Sequence, residues 1–414
     1  MDSKNFYQKV ASHEAKKGEF KKCVLLYSGG LDTSTMLKWI GENYDAEIIA
    51  LTVDIGQLHE DLEAAREKAL KLGAKKAIVF DAKKEFAKKI ISRAIKMNAD
   101  YQGGYHLSTP LGRVILSEIA VKIAHEENCE VVAHGATGKG NDQVRFESYI
   151  TTLDENLKII APVREWSMGR DEQIIYAQKH GIEIKQTADR PYSYDDNLWG
   201  STGEGGEIED PKKIPPLEKI LQVCAPVEKT PDKPEILEIE FEKGIPTKFN
   251  GEKMSLLQII EKCNSAGAKH GIGVCNLIED RLIGLKVRGV YEAPGAEILI
   301  AAHFNLEKLV STRDANLFKN SLDQKWADFC YAAKWFEPAV GAIHAATDFL
   351  NERVCGKVKV KIFKGNCDVI AVDSPFSLFD ANLATFDKNA KFNQNASAGF
   401  IELWNLAQKT WNGF

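Results

Sequence analysis

The sequence lacks a long apolar run and lacks paired cysteines. No apolar stretch approaches the roughly 18 residues that span a bilayer, and residues 1–22 are polar and lysine-rich, without the apolar centre of a secretory signal. The eight cysteines are scattered and none forms a C-x-x-C pair, a spacing that fits neither a zinc site nor a disulfide framework. We therefore expect reduced thiols and a cytoplasmic protein.

An excess of positive charge is also absent. The 54 lysines and arginines are outnumbered by 59 acidic residues, for a net charge of −5. This balance argues against broad nucleic-acid binding but leaves room for a local basic pocket. The length of 414 residues exceeds what one compact core supports. We expect two domains that act on small molecules, with no nucleic-acid or membrane partner.

Two common phosphate-binding motifs are missing as well. No G-x-x-x-x-G-K-S/T occurs and no G-x-G-x-x-G follows a predicted strand, which excludes P-loop kinases, GTPases and the usual dinucleotide fold. The sequence instead carries Ser28-Gly29-Gly30 between a predicted strand, Val24–Tyr27, and a predicted helix near Thr33–Ile40. Glycines let backbone N–H groups approach a ligand, and a helix N-terminus favours an anion, so this turn predicts a phosphate site.

Asp32 is unusual in a phosphate loop, because its carboxylate repels the ligand unless a cation lies between them. Mg²⁺ prefers one or two carboxylates together with phosphates, so we expect Mg²⁺ near Asp32. The alternative is that Asp32, Thr33 and Ser34 only cap a helix and that Gly29-Gly30 is an ordinary turn.

The first half of the chain alternates short β-rich runs with helical stretches, which predicts an α/β fold with a mostly parallel sheet and ligands at the carboxyl ends of its strands. The further predicted strands are Glu47–Val53, Ala77–Phe80, Glu130–Ala133, Leu157–Ile160 and Ile182–Lys185. The further predicted helices are Asp61–Leu72, Lys83–Asn98, Arg113–Glu127 and a helix near Asp171–His180.

After Lys185 the composition changes. Residues 190–235 are rich in Gly, Pro, Asp and Glu, which indicates a functional segment or a domain joint. An α+β region follows, and the tail Gly399–Trp411 has the pattern of an amphipathic helix that needs a partner surface. The elements predicted in this region are strands Ile236–Glu242, Leu282–Lys286 and Lys357–Phe363, helix Ser255–Ala268 and the mainly helical Asp314–Arg353.

A second loop, His134–Arg145, follows the predicted strand that ends at Ala133. It holds three glycines, two cations that suit anions, Lys139 and Arg145, and Asn141 and Asp142, which suit an amine or ureido group. A solvated glycine loop with helix caps is the alternative. A polar set of this density at a strand end favours ligand binding.

Both loops resemble those of argininosuccinate synthases, within the N-type ATP pyrophosphatases. The resemblance rests on S-G-G-L-D-T-S at Ser28–Ser34 and on H-G-A-T-G-K-G-N-D-Q-V-R-F-E from His134, and it covers most of the chain. Further matching segments are Val53–Gln57, Tyr105–Arg113, Tyr192–Gly200, Glu204–Gly206, His270–Gly273, Glu279–Arg281 and Arg288–Glu292.

The resemblance implies a fold and a reaction. It implies an ATP-binding domain of the adenine nucleotide alpha hydrolase type at 21–187, an α+β synthetase domain at 188–385 and an oligomerisation tail at 386–414. The family says nothing about residues 1–20. The implied reaction joins citrulline to aspartate through citrullyl-AMP, with ATP cleaved to AMP and pyrophosphate, in a homotetramer.

The resemblance also implies site residues. The implied catalytic residues are Asp32, with Mg²⁺, and Asp142. ATP contacts fall at Tyr27, Ser28, Gly29, Gly30, Leu31, Asp32, Thr33, Ser34, Val53 and Gly135. Citrulline contacts fall at Tyr105, Thr109, Asn141, Arg145, Ser193, Thr202, Glu279 and Tyr291, and aspartate contacts at Thr137, Asn141 and Asp142. Chemically, Arg145 suits the citrulline carboxylate, and Glu279 with Tyr291 suits its α-amine.

This sequence departs from the family pattern at a few positions. Thr202 stands where the family has serine, and Pro110 where some members have serine, so Thr109 is expected to take that role. Asp280 and Val287 replace the common Asn and Ser.

Two other functions stay open at this point. One is another ATP pyrophosphatase, such as a tRNA thiolase or an amidotransferase-coupled synthetase, although neither a reactive cysteine pair nor a glutaminase region is visible. The other is a non-catalytic nucleotide-binding protein, in which loss of Asp32, Lys139 or Arg145 would be expected.

Overall fold

The computed structural model describes residues 9–58, 61–166, 168–182, 192–384 and 392–413. Its first half contains a five-stranded parallel sheet in the order β3-β2-β1-β4-β5. The strands are β1 (Lys22–Leu26), β2 (Glu47–Asp54), β3 (Lys76–Asp81), β4 (Val131–Ala133) and β5 (Lys158–Ile160). The parallel sheet predicted from the sequence is thus confirmed.

Helices cover both faces of this sheet because successive side chains of a strand point to opposite sides. Leu25 of β1 packs with Met36 in one core, whereas its neighbour Val24 packs with Leu111 and Ile115 in the other. The helices of this half are α1 (Leu31–Tyr44), α2 (Leu62–Lys71), α3 (Lys83–Glu85), α4 (Ser92–Lys96), α5 (Ser108–Glu126), α6 (Asp142–Leu153), α7 (Pro162–Glu165) and α8 (Arg170–Lys179).

The strand order reverses at β1, which lies between β2 and β4. Loops that leave the carboxyl ends of β1 and β4 therefore diverge to opposite faces and leave a crevice, the usual ligand position in open α/β sheets. Both loops singled out in the sequence start at this point.

The second half contains two antiparallel sheets, ordered β11-β12-β7-β6 and β10-β9-β8-β13-β14. Alternation of apolar and charged residues positions the second sheet, since Val358, Val360 and Ile362 are buried between lysines. The strands are β6 (Tyr192–Asn197), β7 (Gly200–Gly205), β8 (Glu235–Glu242), β9 (Ile245–Phe249), β10 (Glu252–Lys253), β11 (Val274–Asp280), β12 (Lys286–Glu292), β13 (Gly356–Phe363) and β14 (Asn366–Asp373).

Two helices of the second half, α10 and α11, pack against this second sheet, whereas α12 and α13 pack on each other and on α5 and α4. Helix α10 begins with a capping box: the Ser255 hydroxyl accepts from Gln258 N at 3.3 Å, and the Gln258 side chain accepts from Ser255 N at 3.0 Å. The helices are α9 (Leu217–Ile220), α10 (Leu256–Lys269), α11 (Pro294–Val310), α12 (Arg313–Tyr331), α13 (Pro338–Leu350), α14 (Ala396–Trp404) and α15 (Leu406–Trp411).

Several sequence-based predictions of elements need correction. The predicted strand Leu282–Lys286 is wrong, because residues 281–285 form the turn between β11 and β12. The helix predicted from Arg113 begins at Ser108, and the one predicted over Lys83–Asn98 contains a π-helical segment, Phe86–Ile91. Most of the predicted strand Ile182–Lys185 lies outside the described residues.

The tail forms two short helices, α14 and α15, where one helix was predicted. Its apolar side chains are exposed: Trp411 is 89% and Leu403 72% exposed, and Phe400 and Trp404 are also largely uncovered. No helix in the described ranges is long and apolar enough to cross a membrane.

Candidate active site

The turn Ser28-Gly29-Gly30 joins the end of β1 to the start of α1. Gly29 has φ +80°, and a Cβ there would lie 2.8 Å from the Cβ of Ala65. Only glycine therefore allows α2 to pack this closely against the turn. Lys68 of α2 donates from Nζ to the Gly29 carbonyl at 2.9 Å, which fixes the turn from outside.

Donor groups converge on this turn. The Ser28 and Thr33 hydroxyls lie 3.1 Å apart, and the Ser34 hydroxyl lies 3.1 Å from the Tyr27 phenol oxygen. Helix α1 starts without a side-chain cap, so its first N–H groups and its positive end face the turn. Asp32 is exposed in this first turn, where it can hold a cation against a bound anion.

The second loop runs from His134 to Asn141 and leads into α6. Gly135 lies against α1, since a Cβ on it would come within 2.7 Å of Met36 Cε. Gln143 of α6 reaches back to the loop and donates from Nε2 to the Gly138 and Gly140 carbonyls at 2.6 and 3.1 Å. Lys139 is exposed, and its carbonyl accepts from Arg281 at 3.3 Å.

The second loop opens into a cleft of about 310 Å³. All eight predicted citrulline residues and all three predicted aspartate residues line it, as does Gly135. The lining consists of Tyr105, Thr109, Gly135, Ala136, Thr137, Gly140, Asn141, Asp142, Arg145, Ser193, Tyr194, Asp195, Thr202, Glu204, Glu279, Arg281 and Tyr291.

The floor of the cleft is an ionic cluster centred on Arg113 of α5. The Arg113 guanidinium donates to Asp142 at 2.8 and 2.9 Å and to Asp195 at 2.6 Å, while Arg145 donates to Asp142 at 3.0 Å. Burial raises the pKa of Asp142, but the two arginines outweigh burial, and its pKa is lowered. Burial, with repulsion from Asp142, raises the pKa of Asp195. The arginines thus favour the ionised form of Asp142, whereas burial disfavours the ionised form of Asp195.

One wall of the cleft is aromatic and acidic. The rings of Tyr105 and Tyr291 lie 4.3 Å apart, beside Glu279, whose pKa is raised by burial. Arg281 lies 3.6 Å from Glu279 and donates to Glu204 at 2.6 Å. This wall offers acceptors for a cation next to a fixed guanidinium.

Two hydroxyls meet beside this wall, where Thr109 N donates to the Tyr105 phenol oxygen at 3.3 Å and Thr202 pairs with Tyr291 on the neighbouring strand. Thr109 of α5 and Thr202 of β7 place their hydroxyl oxygens 3.3 Å apart, next to Ser193 of β6. Asp280, one of the departures from the family pattern, is exposed and accepts from Gln102 at 2.8 Å. It therefore takes no part in the wall.

Asn141 and Arg145 are buried and held by Tyr331, at the end of α12. Asn141 Nδ2 donates to the Tyr331 phenol oxygen at 2.8 Å, and Arg145 donates to the Tyr331 carbonyl at 3.2 and 3.3 Å. Asn141 Oδ1 also accepts from Leu282 N at 3.0 Å. A residue far along the chain thus fixes two predicted substrate contacts.

The predicted ATP contacts, apart from Gly135, do not line the cleft. Tyr27–Ser34 lie at the end of β1, and Val53 is buried in β2, with its carbonyl accepting from Gln57 at 3.0 Å. Since β1 and β4 are neighbours, the turn and the cleft lie side by side at the reversal of strand order.

Sequence reasoning assigned no role to Arg113, Asp195, Glu204, Arg281 or Tyr331. Arg113 follows Thr109 by four residues on one helix, and Asp195 follows Ser193 by two residues in one strand. These spacings predict that each lies on the same face of its element as the predicted citrulline contact. Nothing in the local sequence marks Tyr331.

Residues 22–183 match the family model described as "Arginosuccinate synthase N-terminal HUP domain", and residues 192–411 match "Arginosuccinate synthase C-terminal domain". The chain belongs to the argininosuccinate synthase family.

Individual relatives agree with this assignment. The argininosuccinate synthase of Symbiobacterium thermophilum is 45% identical over 391 residues, which cover 94% of this chain and 97% of the relative. That of Carboxydothermus hydrogenoformans is 47% identical over 390 residues, with the same two coverages. Among solved structures, a U34-tRNA thiolase, NcsA, from Methanococcus maripaludis is similar at a TM-score of 0.29 and 19% identity, covering 43% of this chain and 61% of that chain.

The match to the argininosuccinate synthase family begins at the start of β1. The family match starts at residue 22, whereas the structure describes the chain from residue 9. The segment before β1 therefore lies outside the family match although part of it is folded.

Proposed function

We infer that this chain is an ATP-dependent ligase that joins L-citrulline to L-aspartate, forming argininosuccinate, AMP and pyrophosphate. The observation that carries this inference is the single cleft in which every predicted citrulline and aspartate residue meets, adjacent to the Ser28–Ser34 turn. The family assignment gives the reaction, and the cleft beside the turn supports binding of the reactants side by side.

The citrulline site is proposed along the Tyr105–Tyr291 wall. The Arg145 guanidinium suits the citrulline carboxylate, because a planar fork pairs with a carboxylate through two bonds. Glu279 and the Tyr291 phenol accept from the α-ammonium group. The ureido group then points toward the hydroxyls of Thr109, Ser193 and Thr202.

The nucleotide is proposed to bind at the turn after β1, with its β- and γ-phosphates on the N–H groups and hydroxyls of Ser28–Ser34. Val53 and Gly135 contribute further nucleotide contacts. The ureido oxygen attacks the α-phosphorus, an O–P bond forms, and the bond to the β-phosphate oxygen breaks. The positive end of α1 stabilises the charge that develops on the departing pyrophosphate.

Aspartate is proposed to bind on the second loop, at Thr137, Asn141 and Asp142. Its amine attacks the ureido carbon of citrullyl-AMP, a C–N bond forms and AMP departs. Asp142, held ionised by Arg113 and Arg145, accepts a hydrogen bond from the amine and orients it for attack, and the proton of the amine is released to solvent. Catalysis comes mainly from positioning and from neutralised phosphate charge.

Mg²⁺ is proposed to accompany ATP at Asp32. Among the described residues, no cluster of three or more His, Cys, Asp or Glu side chains could hold a metal ion by itself. A magnesium–nucleotide complex needs only one or two protein carboxylates, and exposed Asp32 beside the turn fits that need. When bound, the ion would neutralise phosphate charge.

We also propose that the protein is a homotetramer in the cytoplasm. The exposed apolar side chains of α14 and α15 support a homotetramer in which this tail, from residue 386, packs on other subunits. The eight free thiols support a reducing, cytoplasmic setting. The domain boundaries at residues 20, 187 and 385 belong to the same proposal, and light scattering would measure the assembly.

One assay tests the reaction. The protein is incubated with ATP, Mg²⁺, citrulline and aspartate, each omitted in turn, and AMP and pyrophosphate are followed. Citrulline-dependent AMP is expected, and oxygen-18 placed in the ureido group should appear in AMP. Formation of ADP, or AMP formation indifferent to citrulline, would refute the assignment and favour another ATP-cleaving or a non-catalytic role.

A further inference from the structure

The segment before β1 extends the parallel sheet. Ala15 N donates to the Ile159 carbonyl at 3.0 Å and Ile159 N donates to the His13 carbonyl at 2.9 Å, so the segment pairs with β5 at the sheet edge. Ala11, Ala15 and Phe20 are buried. The segment therefore covers an edge strand and belongs to the folded domain, although the family match begins only after it.

Within this segment, Ser12 binds a buried carboxylate. Its backbone N–H donates to Glu147 Oε2 at 2.7 Å, and Glu147 is 7% exposed. Glu147 also accepts from Arg164 and lies 3.4 Å from His134 Nε2. Burial alone would raise the pKa of Glu147, but hydrogen bonds from His134, Ser12 and Arg164 outweigh it and lower the pKa to about 2. The ionised carboxylate depends on these partners, because a buried charge without partners is strongly unfavourable.

Two chains of contacts lead from Glu147 to the second loop. Arg164 donates to the Gln143 side chain at 2.9 Å, and Gln143 in turn donates to the Gly138 and Gly140 carbonyls. On the other side, His134 Nδ1 accepts from Ala136 N at 3.2 Å. Both chains end on the backbone that flanks Thr137 and Asn141.

We propose that Ser12 and Glu147 are positioning residues, which hold the second loop in the geometry that binds aspartate through Arg164, Gln143 and His134. The segment before β1 is then a working part of the active site, although none of its residues that the structure describes lines the cleft. This inference rests on the proposed function, because it assumes that the loop binds aspartate.

The separation of substrates provides the test. The loop carries Thr137 for aspartate, whereas the Tyr105–Tyr291 wall is built elsewhere. Glu147→Gln and Gln143→Leu should each raise the KM for aspartate about tenfold and lower kcat, because a misplaced binding loop costs rate as well as affinity. The KM for citrulline should stay within about twofold, because Tyr331 holds its contacts Asn141 and Arg145 independently of Glu147 and Gln143. Glu19→Gln is the matched control, since Glu19 lies in the same segment but pairs with exposed Lys158 at 3.1 Å.

Ser12→Pro, which removes the N–H, is compared with Ser12→Ala, which retains it. Ser12→Pro should reproduce the aspartate effect and Ser12→Ala should show most of the wild-type value. A double-mutant cycle between Ser12→Pro and Gln143→Leu should be non-additive, because the two residues act on the loop through one chain of contacts. If Ser12→Pro fails to fold, Glu147→Gln paired with Gln143→Leu gives the same cycle.

A purely structural role predicts a different pattern. In that case the thermal midpoint falls while both KM values stay at wild type, or all substrates are affected equally, and the proposal is overturned. If wild-type protein forms no citrulline-dependent AMP, the proposed function fails instead. The two failures are therefore distinct.

Discussion

The turn after β1 and the cleft beside it solve two recognition problems by different means. The turn offers backbone N–H groups and hydroxyls that lie within one short segment, Ser28–Ser34. The cleft offers side chains brought from α5, α6, β6, β7, β11 and β12, between residues 105 and 291. One site is local in sequence and the other is assembled by the tertiary fold.

This difference has a physical cause. A phosphate chain is recognised by its charge, which a helix N-terminus and a glycine turn satisfy without particular side chains. An amino-acid substrate carries both charges, so its cavity needs cationic and anionic side chains at fixed positions. These side chains must hold one another in place before the substrate binds. Arg113 performs that task by holding Asp142 and Asp195 together.

The largest effect should come from changing the substrate in the assembled cleft. Ornithine in place of citrulline should lower kcat/KM for AMP formation by about 10⁴ or more, because ornithine lacks the ureido oxygen that attacks ATP and leaves polar groups built for the ureido group without partners. Nucleotide binding at the turn should not change, which an equilibrium measurement with ATP would check. Ornithine within a hundredfold of citrulline would contradict recognition of the ureido group.

The next effect concerns the local site. Asp32→Ala should lower kcat by about 10²-fold or more, as expected for one lost electrostatic stabiliser, and should weaken the dependence of the rate on Mg²⁺. Asp32→Asn, which keeps the shape, should behave similarly. Glu42→Gln, on the exposed side of the same helix, is the control, and near-normal turnover of Asp32→Ala would remove the proposed role.

Arg113 tests whether the cleft depends on its ionic cluster. Arg113→Met should lower kcat/KM for aspartate roughly tenfold to a hundredfold, because the partly buried Asp142 and Asp195 lose a shared partner. Arg113→Lys should recover only part of this, since lysine lacks the planar fork. Steady-state kinetics on the folded variants would measure this, and an unchanged kcat/KM for aspartate would contradict it.

The Arg113 variants should also differ from the wild type in the pH dependence of their activity. The pKa of Asp142 is lowered because Arg113 and Arg145 outweigh burial, so Asp142 stays ionised to low pH in the wild type. Without Arg113, burial and the nearby Asp195 raise the pKa of Asp142, and activity should be lost at a higher pH on the acid side. A pH profile of kcat/KM in Arg113→Met with an unmoved acid limb would contradict this.

The smallest effect should come from Thr202, where the family has serine. Thr202→Ser keeps the hydroxyl near Thr109 and should leave the citrulline KM within about twofold. Thr202→Val removes one hydrogen bond of about 1 kcal/mol and should raise that KM about fivefold. An equal response of the aspartate KM would contradict the assignment of this wall to citrulline.

The sequence predicted elements well where hydrophobic periodicity was strong. Strands β1, β2 and β3 are short, nearly continuous apolar runs. Helix α10 has apolar residues at helical spacing. The hairpin of β6 and β7 was not predicted, because Tyr192–Asn197 is polar and Gly200–Gly205 is glycine-rich, so neither has the usual strand pattern. Pairing of β6 with β7, and of β7 with β12, stabilises both strands more than their own β-propensity does.

The sequence by itself determined the turn proposed to bind phosphate, since a strand, two glycines and a helix start lie within eleven consecutive residues, 24–34, and an anion site needs little else. Only the tertiary structure decided that Arg113, Asp195 and Tyr331 belong with Asp142 and Arg145. Their contacts join α5, β6, α6 and α12, and the energy that fixes them depends on burial and charge pairing, which arise only when distant segments pack together.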